Sequence, residues 1–151
     1  MPLDASILQR TDPTIEVVVE RGRIQQFSKA IGEQDPIYSD VAAARAAGHP
    51  DLPAPPTFLF GLELECSDIF DVLGEYGVDL GQVLHGEQTF RYFEPVHAGD
   101  TVVFAPSYVD LYSKAGGSLD FLIRRCEVLR EGTKVAEMES TTVVKNGGIA
   151  S

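Results

Sequence analysis

The sequence predicts an α+β fold, with helices first and an antiparallel sheet after them. Apolar residues recur at helical spacing in the first half, as Ile24, Phe27 and Ile31 do. After residue 84 the character changes. HGEQTFRYFEPV, DTVVFAPSYVDLYSKAG, GSLDFLIRRCEVLREG and TKVAEMESTTVVKNG read as four strands, joined by the turn sequences HAGD, AGGS and REGT. The third observation is PTFLFGLELE, whose apolar residues run nearly all round a helix and so put that helix at the centre of the fold.

In chain order, residues 1–14 read as an irregular lead-in, and the β-branched run TIEVVV (14–19) as a short strand or the entry to a helix. ERGRIQQFSKAIG (20–32) is helical, with Gly32 at its C-terminus. Ser39 or Asp40 caps a second helix, DVAAARAAG, which stops at Gly48. The proline-rich loop HPDLPAPP leads into the central helix, where a proline suits the first turn. CSDIFDVLGEYGVDLGQVL reads as short helical turns broken by Gly74, Gly77 and Gly81. In the last strand Val135, Glu137 and Glu139 alternate with Ala136, Met138 and Ser140, which leaves one polar face.

At 151 residues, 44% of them hydrophobic and 23% charged, the chain reads as one globular domain spanning 1–151, with no internal repeat or linker. A net charge of −11 opposes phosphate backbones and anionic lipid, so neither nucleic acid nor membrane is an expected partner. The N-terminus lacks the basic-then-apolar pattern of a secretory signal. No apolar run approaches the ~20 residues of a membrane span. Cys66 and Cys126 lie far apart and outside any metal-ligand spacing, and read as reduced buried thiols. A cytoplasmic protein is the expectation.

A helix that is apolar all round, followed by four long antiparallel strands, suggests a hot-dog fold, in which a curved sheet wraps a central helix. IQQFSKAIGEQDPIYSD, AAARAAGHPDLPAPPTFLFGLELE and LHGEQTFRYFEPVHAGDTV, in that order, resemble the N-terminal-type half of the MaoC-like dehydratases, from about residue 14 to about 145. The resemblance implies an (R)-specific enoyl-thioester hydratase or 3-hydroxyacyl-thioester dehydratase. It implies a dimer with a continuous sheet, an acyl-coenzyme A or acyl carrier protein thioester as substrate, and neither metal nor redox cofactor. Such chemistry needs a base to activate water, an acid for the α-carbon, and an N–H aimed at the thioester carbonyl.

Catalytic members of that family carry G-D-x-N-P-I-H on one loop and an A-H-G-M-like stretch before the central helix. Here the Asp position holds Glu33, the Asn position Asp35 and the His position Tyr38. Ala54-Pro55-Pro56-Thr57 replaces A-H-G-M, so Pro56 has no N–H to donate. Tyr38, with an ordinary pKa of ~10, is a poor base at neutral pH. Glu33 reaches one bond further than Asp, and a shift of ~1 Å costs ~100-fold in rate. GEQDPIYSD therefore resembles a catalytic loop whose catalytic groups have been exchanged.

The resemblance puts Asp35, Pro56 and Thr57 beside the substrate and an acyl chain against Phe58, Phe60 and Leu62. The residue-level alternatives are plainer: Glu33 solvated, Asp35 a turn residue, Tyr38 packing, Asp40 a helix cap. His49 reads as a surface residue and His97 as structural or solvent-facing. His85 opens the first long strand, with Glu87 two residues on and expected on the same side. Arg124, Arg125, Arg130 and Lys134 cluster in sequence, but strand alternation splits them between faces, and pairing with the abundant acids is expected.

Three readings follow. The first is a pocket-forming, catalytically degenerate subunit whose homologous partner supplies the Asp, the His and the amide. The second is a self-sufficient homodimer using Glu33, helped by Tyr38 or His85. The third is a non-catalytic acyl-thioester-binding protein.

Overall fold

The β-branched and alternating runs build one antiparallel sheet in a computed structural model that describes residues 2–146. Its strands are β1 (Ile15–Val18), β2 (Val83–Tyr92), β3 (Thr101–Lys114), β4 (Leu119–Arg130) and β5 (Thr133–Lys145), in the order β1-β3-β4-β5-β2. TIEVVV is thus a strand, paired with the start of β3. The REGT turn joins β4 to β5 through Glu131 and Gly132, both at positive φ (50° and 77°). Two such residues make the tight turn whose twist matches that of the strands it joins.

The helices are α1 (Arg21–Ala30), α2 (Val41–Ala46), α3 (Phe58–Cys66) and α4 (Ile69–Glu75). Gly32, at φ 74°, ends α1 and lets the Glu33 amide donate back to the Ser28 carbonyl at 2.9 Å. Asp40 caps α2 by accepting from the Ala42 amide at 3.0 Å. α3 buries Phe58, Leu59 and Leu62, and also Glu63. The expectation of broken turns after α3 is corrected in part: α4 runs through Gly74, and Gly77, at φ 77°, is the stop. The lead-in is also more ordered than expected. Ala5–Gln9 form a 3₁₀ turn, Leu3 and Ile7 are buried, and the Leu3 amide donates to Asp120 Oδ2 at 2.7 Å.

β4 alternates along its length, with Asp120, Leu122, Arg124, Cys126 and Val128 turned inward. The inner face carries two apolar clusters. One joins α1 and α3 to Phe104, Cys126, Val128 and Met138; the other joins the N-terminal turn and α4 to Tyr108, Leu122 and Val144. On the outer face Arg125 pairs with Glu139 at 3.0 Å and Lys134 with Glu137, and at the end of β4 Arg130 pairs with Asp100 at 2.8 Å. The clustered cations are therefore paired, as expected. Among the described residues, no helix is long and apolar enough to cross a membrane. Nor does any group of three or more His, Cys, Asp or Glu there gather as metal ligands.

Candidate functional site

In the exchanged loop the acids serve the backbone. Glu33 is exposed and its Oε1 accepts from the Asp35 amide at 3.1 Å. Asp35 Oδ1 in turn accepts from the Ile37 amide at 3.1 Å, capping the 3₁₀ turn Pro36–Tyr38. Tyr38 is half-buried, and its phenol is held above its ordinary value first by burial and then by the carboxylates of Glu33 and Asp35. A proton is harder to remove from it here than in water, so it is a weaker acid and still less of it is phenolate at neutral pH.

Pro56 and Thr57 are exposed at the start of α3. Pro56 shares with Tyr38, His49 and Leu59 a hollow of about 350 Å³. The His49 Nδ1 and His97 Nε2 atoms lie 2.9 Å apart across this part of the molecule. His97 is buried and structural, its amide donating to Asp100 Oδ2 at 2.9 Å. His49 is half-buried, where a surface residue was expected, because its ring turns inward onto His97.

The larger cavity, about 530 Å³, lies on the other side of α3, between α3, α4 and the inner face of the sheet. Phe60, Glu63 and Leu64 enter it from α3, and Ile69, Phe70 and Leu73 from α4. Leu80, Val83, Leu84 and His85 line its side, and Gln88, Arg124, Cys126, Met138, Ser140 and Thr142 form its sheet wall. Of the three apolar residues expected against an acyl chain, only Phe60 lines it. Phe58 turns instead onto Phe27, ring centroids 5.5 Å apart and nearly perpendicular, and Leu62 joins the core. The helical repeat dictates this: residues two apart on a helix face different ways.

His85 lines the cavity and stacks on Phe60 at 5.5 Å. Glu87 does not share its side, which corrects the expectation. His85 is opposite Thr142 on β5, yet Glu87 is opposite Thr141, because Gly86 forms a bulge between them. Gly86 is required there. A Cβ on it would meet Val143 Cγ2 at 2.9 Å and the Thr141 carbonyl at 3.3 Å. The bulge is what brings Gln88, and not Glu87, to the cavity wall.

One ion pair stands in this otherwise largely apolar wall. Arg124 Nη2 donates to Glu63 Oε1 at 2.6 Å, with both side chains under a tenth exposed. Burial works against the Arg124 charge, but the Glu63 carboxylate outweighs it and the guanidinium is held above its ordinary value. Burial pushes the nearby Tyr108 phenol up to about 12, with Arg124 pulling the other way. Burial likewise raises the Cys126 thiol to about 12, so it stays a thiol at neutral pH. Sequence reasoning did not select Glu63, Gln88, Arg124 or Ser140 for the site. The available signal was a polar residue at an inward strand position, as at Ser140 after Ala136 and Met138, and an acid inside an apolar helix.

An antiparallel sheet wrapped on a buried helix, with a largely apolar cavity between them, defines a hot-dog protein. The family model of the FAS1-like dehydratase domain region matches residues 7–138. A UPF0336 protein of Saccharopolyspora erythraea is 37% identical over 147 residues, spanning 96% of this chain and 93% of its own. Among solved structures, the C-terminally truncated HadBC (3R-hydroxyacyl-ACP dehydratase) complex of Mycobacterium tuberculosis is 25% identical with a TM-score of 0.74, over 88% of this chain and 92% of its own. A MaoC-like dehydratase superposes with a TM-score of 0.76 at 21% identity, over 92% of this chain and 43% of its own. The chain belongs to the FAS1-like dehydratase-region family, and its fold is that of the MaoC-like dehydratases.

Proposed function

We propose that this chain is the acyl-pocket-forming, catalytically degenerate subunit of an (R)-specific enoyl-thioester hydratase or 3-hydroxyacyl-thioester dehydratase. A homologous partner supplies the Asp, the His and the carbonyl-binding amide. The observation that carries this reading is a separation. The largely apolar cavity is present, while the loop where catalysis would sit has its acids accepting from backbone amides and a proline where an N–H is needed.

The surface supports a partner. β2 is an edge strand, and an unpaired edge is a ready template for another strand. Leu84, Tyr92 and Phe93 stand exposed along or just beyond it, and Leu64, Phe70 and Leu80 continue an apolar surface around the cavity mouth. The HadBC structure, described as a complex, is a precedent for a two-chain enzyme of this fold.

The test is hydration of 2-decenoyl-coenzyme A, followed by loss of the conjugated thioester absorbance. The expected result is no turnover by this chain alone, and turnover after mixing with a homologue from the same genome that carries G-D-x-N-P-x-H. Glu33→Gln in this chain leaves the mixed activity within about threefold, the residue touching no reacting atom. Turnover by the chain alone, abolished by Glu33→Gln, would overturn the reading in favour of the self-sufficient enzyme.

A further inference from the structure

The 530 Å³ cavity has a mouth and a deep end, and burial marks the direction between them. Phe70, Leu80 and Leu84 at the mouth are half or more exposed, whereas Glu63, Leu73, Arg124, Cys126 and Met138 at the other end are buried. Cys126 and Met138 belong to the first apolar cluster and Leu73 to the second, so there the wall is packed core. At one place the wall is thin. A second hollow of about 320 Å³ lies beyond it, and two residues, Ile69 and Arg124, line both spaces.

Both residues of this partition are held in place. Arg124 on β4 donates to Glu63 Oε1 on α3 at 2.6 Å. Ile69 is the first residue of α4, just after the extended link at Ser67, and its β-branched side chain is stiff about χ1. The spaces on either side differ in chemistry. The first offers mostly aliphatic and aromatic side chains, such as Phe60, Leu64 and Val83. The second is lined by Asp12, Asp68, Asp71 and Glu75, with Arg10 joined to Asp12 and to Glu75 at 2.5 Å each.

We propose that Ile69 and the Glu63–Arg124 pair are the chain-length stop of the acyl pocket, with the methyl end of the acyl chain resting against them. The proposal rests on the acyl-pocket reading above. Each methylene drawn past the mouth leaves water for an apolar wall and adds up to about fourfold in affinity. A chain that reaches the partition loses that gain for two reasons. The stiff Ile69 side chain and the paired guanidinium leave no room, and forcing them apart separates a buried ion pair. Beyond them an alkyl end would take water from carboxylates and give them nothing in return. The partition therefore sets a maximum length, and Ile69 is the member whose size can be changed without stranding a charge.

The experiment is calorimetric titration of the full chain with saturated acyl-coenzyme A thioesters of eight to eighteen carbons, below their micelle concentrations. Affinity is expected to climb to a best length and then fall by about tenfold or more over the longer chains. In Ile69→Ala the fall becomes a plateau, the longest chains binding within about threefold of the best, because the added carbons enter a hollow that gives them little. In Ile69→Phe the best length is shorter by about two carbons or more. An affinity that climbs without a break through eighteen carbons in the wild-type chain would overturn the stop alone. So would a fall that survives Ile69→Ala together with a best length that Ile69→Phe leaves in place. Binding of no thioester at all would overturn the acyl-pocket reading, and the stop with it.

Discussion

Gly86 decides which side chains of β2 see the cavity, and it does so by having no side chain. Two-residue alternation alone put His85 and Glu87 together, and the bulge separated them. No composition signal marks that bulge, because the atoms that demand a glycine belong to Val143 and Thr141, more than fifty residues away in sequence. The His49–His97 pair is of the same kind, two loops meeting across the fold. Burial holds His97 below its ordinary value of 6.5, Asp100 pulling it up, His49 and Arg130 pushing it down, and Asp51 pulling it up more weakly. The neutral ring is favoured in the folded chain, so the unfolded chain takes up the proton first as pH falls. Stability from this group is complete above about 6.5 and is lost as pH falls through the lowered folded value. Urea midpoints are therefore expected to drop on acidification from neutral pH through that window, and to drop less steeply in His97→Gln. Parallel slopes in the two proteins would remove His97 as the source.

Among the elements, the strands and the central helix were legible because their signals are local: alternation, β-branching, and turn residues such as Glu131-Gly132. The same alternation correctly sent Arg124 and Arg125 to opposite faces. It did not reveal what Arg124 meets, because Glu63 comes from a helix sixty-one residues earlier. The N-terminal turn was missed because Leu3 and Ile7 are too few to set up a period, and its anchor, Asp120, is also distant. The Glu63–Arg124 pair ties α3 to β4, and removing one partner strands a buried charge. Arg124→Met alone is expected to cost about 3–5 kcal/mol in urea unfolding, whereas Glu63→Leu with Arg124→Met together comes near neutral or better. A double variant as unstable as the single one would show that the pair contributes more than mutual charge compensation.

For the molecule as a whole, the fold and family could be read from segment order, while the site was legible only in the negative. By resemblance the sequence reads as carrying exchanged groups at Glu33, Tyr38 and Pro56, and in the structure Glu33 and Asp35 accept from backbone amides. It did not locate the cavity wall, since that wall is assembled from two helices, a turn and three strands far apart in sequence. On the proposed division of labour, this chain encloses the acyl chain and a partner performs the proton transfers. The most direct measurement is kcat/KM of the mixed enzyme against enoyl-thioesters of increasing chain length, with the wild-type chain and with Thr142→Trp, which fills the cavity from β5. The predicted result is a fall of about 100-fold or more for the ten-carbon substrate, with the four-carbon one within about twofold, since only the long chain needs the filled space. Equal losses for both lengths, or no loss for either, would contradict the assignment of the acyl chain to this cavity.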